Sequence, residues 1–600
     1  MLVSEAAGAV LTGLGAEMVF GVVGSGNFHV TNALIANGAR FVAARHEGGA
    51  ACMADGWARA TGKVGLLSVH QGPGLTNAMT GITEAAKSRT PLLVLAADVA
   101  GAAVRSNFRI DVAALAAAVG AEAERLHSPG SAAADVIRAY RTAQAQRRTV
   151  VLAMPLDVQA AQCDPPAIPA APSLSPCQPA GESVAELARV LTGAQRPVFV
   201  AGRGARVADA RAGLERLADA CGALLATSAA AKGLFRGNPW DLDVSGGFAT
   251  PLAAELIGAA DLIVGWGCSL NMWTMRHGRL IGPGATVVQV DNDVSAIGAH
   301  RPVDMAVLGD VAETCRAVLA ELGGRTLGGY RSPELQTRIG REGRWRDVPY
   351  TDEGTRGADA GAGAVAGGAE TSRAGTGAGR DGSGEERGGP AEERGGPGQG
   401  RSGGPGDDGE ARIDPRTLTI ALDDLLPAQR MVSVDSGNFM GYPSMFLSVP
   451  DASAFCFTQA YQSIGLGLAS AIGAALAQPS RLPVAALGDG GALMGISELE
   501  TVVRLRLPMV IVVYDDAAYG AEVHHFGPDQ HPLDTVRFPP TDIAAIGRGF
   551  GCAGVTVRGP QDLAAVREWL AGPRDRPLVI DAKITSGSGS WWLEEAFHGH

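Results

Sequence analysis

The stretch LPVAALGDGGALMGISELETVVRLRLPMVIVVYDD (482–516) decides the fold. It begins and ends on uncharged apolar runs of strand length. Between them lie a glycine-rich turn and a segment of helical length. Strand, turn, helix and strand make a βαβ unit, whose strands must be parallel and covered on both faces. The turn carries an acid, Asp489, and the second strand ends on two more, Asp515 and Asp516. Glycines at a strand end let the backbone approach a ligand, and the helix that follows favours an anion such as phosphate. An acid among those glycines repels a bare phosphate unless a cation bridges them. Asp489 and Asp516 stand at the ends of successive strands, where open α/β sheets bind their ligands. Two hard carboxylate ligands completed by phosphate oxygens suit Mg²⁺.

Working outward, VGLLSVHQGPGLTNAMTGITEAAKSRTPLLVLAAD (64–98) echoes this unit: strand, glycine turn, helix, Arg-x-Pro, and a strand ending in Asp. A duplicated domain fold is the expectation. Strand-like runs alternate with Ala/Leu-rich helical segments along most of the chain, so three α/β domains with parallel sheets are expected. The divisions fall at 1–165, 183–345 and 413–600. A proline-rich run (163–180) joins the first two domains. The 352–412 segment has almost no large apolar side chain and is read as a disordered linker. The middle block opens on strand, Gly-x-Gly turn and helix (Gly202, Gly204), a weak nucleotide-site pattern.

The chain has 600 residues and a formal net charge of −12, which argues against nucleic acid as a partner. Its eight cysteines show no metal spacing, and no apolar run is long enough for a bilayer. Together with an N-terminus lacking a signal-peptide pattern, this suggests a cytoplasmic protein without a membrane partner.

With Gly488-Asp489-Gly490 and the acid pair at this distance, the C-terminal block resembles the thiamine diphosphate (ThDP) enzymes, in particular the acetolactate synthases and the 2-oxo acid decarboxylases. The resemblance implies a ThDP-binding fold, with an N-terminal pyrimidine domain, a Rossmann-like middle domain and a C-terminal diphosphate domain. It assigns the metal to Asp489, Asp516 and the carbonyl of Ala518. Gly488, Gly490, Gly491 and, in the first block, Gly72 are expected to line the cofactor. The family usually has Asn-Asn where this chain has Asp515-Asp516; the added negative charge is expected to weaken cofactor binding unless a nearby base compensates it.

A second match, ARHEGGAACMADGWARATGKVG (44–65), resembles the segment carrying the family's glutamate, here Glu47. A carboxylate bonded to the cofactor's aminopyrimidine shifts it to the tautomer that acts as a base. In FTQAYQSIGLGLASAIGA (457–474), Ile464 matches the residue that bends the cofactor, and the Gln462 carbonyl is expected to accept from its amino group. Acetolactate synthases bind FAD in the middle domain, but 264–278 lacks the Arg-Phe-Asp-Asp-Arg pattern, which argues against FAD.

The resemblance implies decarboxylation of a 2-oxo acid, ending in ligation to a second carbonyl or in protonation to an aldehyde. Segment 44–65 is nearest to the synthases. His70, Ser25 and Glu522 match decarboxylase positions, and a His with a Glu could relay protons. Phe108 and Arg109 fall in the family's substrate loop. The expected protein is an acetolactate synthase-like decarboxylase and carboligase, with aldehyde release as the alternative. It is expected to form a homodimer or homotetramer with active sites between chains. A catalytically silent subunit or a flavin-dependent oxidase are the other classes; the intact Glu47, Asp489 and Asp516 argue against the first.

Overall fold

A computed structural model describes residues 1–167, 175–355, 410–587 and 592–593. The chain builds three six-stranded parallel sheets flanked by helices. The first contains β1 (Met18–Gly21), β2 (Arg40–Ala43), β3 (Gly65–Val69), β4 (Leu92–Asp98), β5 (Glu122–Arg125) and β6 (Thr149–Pro155), in the order β2-β1-β3-β4-β6-β5. The middle sheet contains β7 (Pro197–Ala201), β8 (Leu224–Thr227), β9 (Asp241–Val244), β10 (Leu262–Trp266), β11 (Thr286–Asp291) and β12 (Met305–Leu308). Its order, β12-β11-β10-β7-β8-β9, is the doubly wound Rossmann arrangement. The third contains β13 (Arg430–Val434), β14 (Phe455–Phe457), β15 (Leu482–Gly488), β16 (Val510–Asp515), β17 (Ala553–Val557) and β18 (Leu578–Lys583).

The third sheet runs β14-β13-β15-β16-β18-β17, the same permutation as the first. The two echoing stretches occupy matching places: β3 and β4 in one sheet, β15 and β16 in the other, each pair adjacent and parallel. The central strands are apolar over nearly their whole length because both faces are buried.

The first and third units share one hydrophobic core, built mainly from helices Glu47–Thr61, Pro73–Lys87 and Gly467–Ala477. Helices Glu47–Thr61 and Gly467–Ala477 cross with their backbones almost touching. A Cβ on Gly56 would lie 2.3 Å from the Ser470 carbonyl oxygen, and one on Gly473 would lie 1.9 Å from that of Met53. This crossing requires glycine, and each gained methyl group would push the two units apart.

Most of the 352–412 segment, read from composition as a disordered linker, lies outside the described residues. Its ends meet: the Thr355 N–H donates to the Arg412 carbonyl at 2.8 Å. The chain therefore returns at 412 to the place it leaves at 355. Among the described residues no helix is long and apolar enough to cross a membrane, and all eight cysteines are free.

Candidate active site

Two groups of residues emerge, one at the carboxyl end of the first sheet and one at that of the third. In the third sheet, β15 and β16 pair in parallel with Gly488 opposite Tyr514. That register sets Asp489, which opens helix Asp489–Met494, beside Asp516. Burial and the charges of Asp516 and Asp515 push the Asp489 carboxyl up to about 8. Burial and Asp515 push Asp516 up to about 7. Both acids would resist ionising together unless a cation lay between them. A cavity of about 280 Å³ opens here, lined in part by Asp489, Gly490, Asp515, Tyr519 and Thr541. Gly490 faces the Tyr519 ring, which a Cβ would approach to 2.8 Å, so the turn has no room for a side chain.

Asp515 has a cation of its own. Its carboxylate takes the Lys583 ammonium at 2.5 Å and the Ala517 N–H at 2.9 Å. Lys583 also reaches Asp581 at 3.0 Å and donates to the Thr541 carbonyl at 2.6 Å. Burial disfavours the charged lysine, but hydrogen bonds and charges from Asp515 and Asp581 outweigh that and raise its pKa. Lys583 thus neutralises Asp515 at the end of the strand. The remaining donors, two carboxylates and the Ala518 turn, are the hard oxygen set that Mg²⁺ takes when a diphosphate completes its shell. Among the described residues there is no cluster of three or more His, Cys, Asp or Glu that could hold a metal ion.

The Gln462–Ile464 loop is held by a residue that sequence reasoning missed. Asp435, fully buried at the end of β13, accepts from Gly465 N–H at 2.9 Å, Leu466 N–H at 3.2 Å and Ser436 N–H at 2.9 Å. Burial still lifts its carboxyl to about 6. Gln462 sits at φ +58°, and its carbonyl already accepts the Ser436 hydroxyl at 3.1 Å. A carbonyl has a second lone pair, so a second donor can share it. The signal for Asp435 was visible as an acid closing the apolar run MVSV, but nothing local distinguished it from a turn residue.

In the first sheet, Glu47 opens its helix and accepts the Asn77 amide at 3.1 Å. His70 follows β3. Its Nδ1 accepts the Gly26 N–H at 3.1 Å, which leaves the proton on Nε2. The Phe108 ring meets His70 edge-on at 5.4 Å. Gly72, at φ +65°, lies where a Cβ would be 2.8 Å from the Phe108 carbonyl oxygen. The structure thus gathers His70, Gly72, Phe108 and the loop carrying Ser25, whereas Arg109 and Ser25 are themselves exposed. Glu522 lies half-buried on helix Gly520–Phe526. Among the described residues, no hydrogen bond or ion pair joins Glu47 or His70 to Asp489, Asp516 or Glu522 within one chain.

What joins the units is a reciprocal pair of buried glutamates, also missed. Glu498 from the third unit accepts the Arg45 and His46 N–H groups at 3.0 and 3.1 Å, just before Glu47. Glu84 from the first accepts the Ala460 and Tyr461 N–H groups at 3.1 and 2.6 Å, just before Gln462. Each unit holds the other's site loop.

Comparison with known proteins matches three family descriptions in chain order. Residues 1–115 match "Thiamine pyrophosphate enzyme, N-terminal TPP binding domain". Residues 184–318 match the central domain of the same enzymes and 435–582 their C-terminal TPP binding domain. A probable 2-ketoarginine decarboxylase from Pseudomonas aeruginosa is 29% identical over 92% of this chain and 88% of its own length. A sulfoacetaldehyde acetyltransferase from Rhodobacter capsulatus is 26% identical over 99% of this chain and 96% of its own. An acetolactate synthase large subunit from Parasynechococcus marenigrum is 25% identical, with 96% and 86% covered.

Proposed function

Because the chain belongs to the thiamine pyrophosphate-dependent enzymes and carries all three of their domains, we propose that it uses ThDP and Mg²⁺ to decarboxylate a 2-oxo acid and ligate the product to a second carbonyl. The observation that carries the cofactor half of this reading is the pair Asp489 and Asp516, whose mutual repulsion a divalent cation relieves. Asp489, Asp516 and the Ala518 carbonyl would hold the metal. Gly488, Gly490 and Gly491 would make room for the diphosphate. Ile464 would support the bent cofactor and Gln462 would accept from its amino group. When bound, ThDP would supply a thiazolium carbon able to add to the oxo group and to take up the electrons released with CO₂. Glu47 would hold a proton at the pyrimidine ring, and Asn77, whose amide donates to it, would orient its carboxylate.

Ligation is favoured by the resemblance of 44–65 to the synthases and by the acetolactate synthase among the relatives. Aldehyde release is the second reading. It rests on His70, which the Gly26 N–H and the Phe108 ring hold with Nε2 as the donor. Ser25 and Glu522 would assist proton movement, and Phe108 and Arg109 would border the substrate.

Product analysis with pyruvate and longer 2-oxo acids, singly and in pairs, tests both. A carbon–carbon coupled product supports ligation. Free aldehyde that disappears in His70→Ala supports protonation. No turnover of any 2-oxo acid overturns the proposal.

The site is further proposed to form between two chains, with Glu47 of one facing Asp489 and Asp516 of the other. Exposed apolar side chains beside the cavity support this: Met494 is 63% exposed and Tyr519 38%.

A further inference from the structure

A buried tryptophan from beyond the last strand holds the segment that borders the metal end of the cavity. After β13 the chain passes Gly437, at φ +134°, and runs through the short turn Asn438–Met440 into helix Gly441–Phe446. This segment touches both acid-bearing strand ends. A Cβ on Gly520 would lie 2.5 Å from Asp516 Oδ2 and 3.0 Å from the side-chain nitrogen of Asn438, so that amide and that carboxylate converge on one spot. A Cβ on Gly488, just before Asp489, would lie 3.0 Å from the Phe439 ring. The same ring stacks on Tyr514 of β16, with centroids 5.3 Å apart and planes at 23°.

Trp592 backs this segment and is 1% exposed. Its Nε1–H donates to the Asn438 carbonyl at 3.0 Å, and its ring meets Tyr442 edge-on at 5.1 Å. Gly441 has helical dihedrals that any residue adopts, yet a Cβ there would overlap the indole at Cδ2, Cε2 and Cζ2. The ring therefore lies on bare backbone, and the glycine is needed for that contact. On its other side Trp592 meets the middle unit, where a Cβ on Gly247 would be in ordinary contact at 3.5 Å. A segment entered through a glycine at positive φ has many conformations to lose. Whatever ordering is left until a ligand arrives is subtracted from its affinity. The indole does that ordering in advance: its N–H fixes Asn438, and its ring fixes the start of the helix.

We propose that Trp592 is a positioning residue for the metal end of the cofactor site, holding Asn438 beside Asp516 and Phe439 against the Gly488 turn before the cofactor arrives. The proposal rests on the ThDP reading given above. Trp592 does not line the cavity and acts through the backbone it holds.

The test is isothermal titration of the full chain, freed of cofactor, with ThDP in saturating Mg²⁺. Trp592→Phe keeps a ring on Gly441 and loses the N–H, so binding should weaken about tenfold. Gly441→Ala leaves Trp592 in place but displaces its ring, and should weaken binding by about tenfold or more. Trp592→Ala makes room for that methyl group, so adding Gly441→Ala to it should cost about twofold or less. Trp569→Phe is the control: its Nε1–H donates to the Arg576 carbonyl at 3.0 Å in the same unit, and its loss should leave ThDP binding unchanged. Hydrogen exchange of residues 438–446 in the cofactor-free proteins should rise in the Trp592 and Gly441 variants and stay at the parent's level in Trp569→Phe. Melting curves identify which variants are folded. Folded Trp592→Phe and Gly441→Ala proteins that bind ThDP as the parent does overturn the proposal. So does an equal loss in Trp569→Phe, which would make the effect one of general stability. A parent that takes up no ThDP overturns the functional reading itself, and the proposal falls with it.

Discussion

Replacing Lys583 by methionine tests the explanation of the acid pair most directly. Lys583 and Asp515 have side chains only 7% and 3% exposed and lie 2.5 Å apart. The lysine also serves Asp581, which is fully buried. Lys583→Met would leave two buried carboxylates facing each other with no cation. Removing one partner of a buried pair costs about 3–5 kcal/mol. Asp515→Asn is a different perturbation. It leaves Lys583 with Asp581 and the Thr541 carbonyl, and the amide oxygen can still accept the Ala517 N–H. Its cost should be about 1 kcal/mol, that of one weakened hydrogen bond.

A chain of three units does not unfold in one step, so the reading should be local. Hydrogen exchange of the β16 and β18 amides, followed by mass spectrometry, reports opening where the pair sits. Lys583→Met should lose protection there by a factor of about a hundred or more, while β3 and β4 of the first sheet change little. Asp515→Asn should change β16 by about tenfold or less. Asp515→Asn combined with Lys583→Met should recover part of the loss. If Asp515→Asn proves as damaging as Lys583→Met, or if Lys583→Met keeps the parent's protection, the lysine is not the counter-charge of the acid pair.

Three other outcomes are expected. Glu47→Gln should lower turnover about a hundredfold or more while ThDP, followed by quenching of tryptophan fluorescence, binds as before; undiminished activity refutes the assignment. Glu47→Gln and Asp489→Ala, each inactive alone, should recover activity when unfolded together and refolded as a mixture, because one site of the mixed dimer is intact. Activity that stays at zero means each site is built within one chain. Asp489 and Asp516 have pKa values raised to about 8 and about 7, far above the unfolded value for Asp. Their contribution is therefore present in full below the unfolded pKa and lost as pH rises through about 7 and about 8. Without metal, the melting temperature should fall across that window. Mg²⁺ with ThDP should remove the fall and release protons, and Asp489→Asn should flatten it. A pH-independent melting temperature contradicts the coupling.

The parts of the site that could be read beforehand are those set by nearby residues. A strand ending on Gly488 leaves Asp489 at its tip, and a strand ending on Asp515 leaves Asp516 at the next. The βαβ rule then makes them neighbours. Glu47 was visible because it opens a helix within a recognisable segment. The partners of these residues were not visible. Lys583 is 68 residues from Asp515, Glu84 is 377 from Tyr461, and Glu498 is 453 from Arg45. Each is an ordinary charged residue until the sheets bring it to its partner.

The sequence by itself determined the periodicities: apolar strands, the helices between them, and therefore three parallel sheets with acids at the ends of chosen strands. These follow from local sterics and from burying both faces of a sheet, and need no knowledge of distant neighbours. Only the tertiary structure decided the charge balance. It set Lys583 against Asp515, left Asp489 and Asp516 without an ion pair among the described residues, and crossed two helices so closely that each unit's glutamate holds the other's loop. Electrostatic energy depends on distance through space and on the water excluded from between the charges, and neither is written in the spacing along the chain.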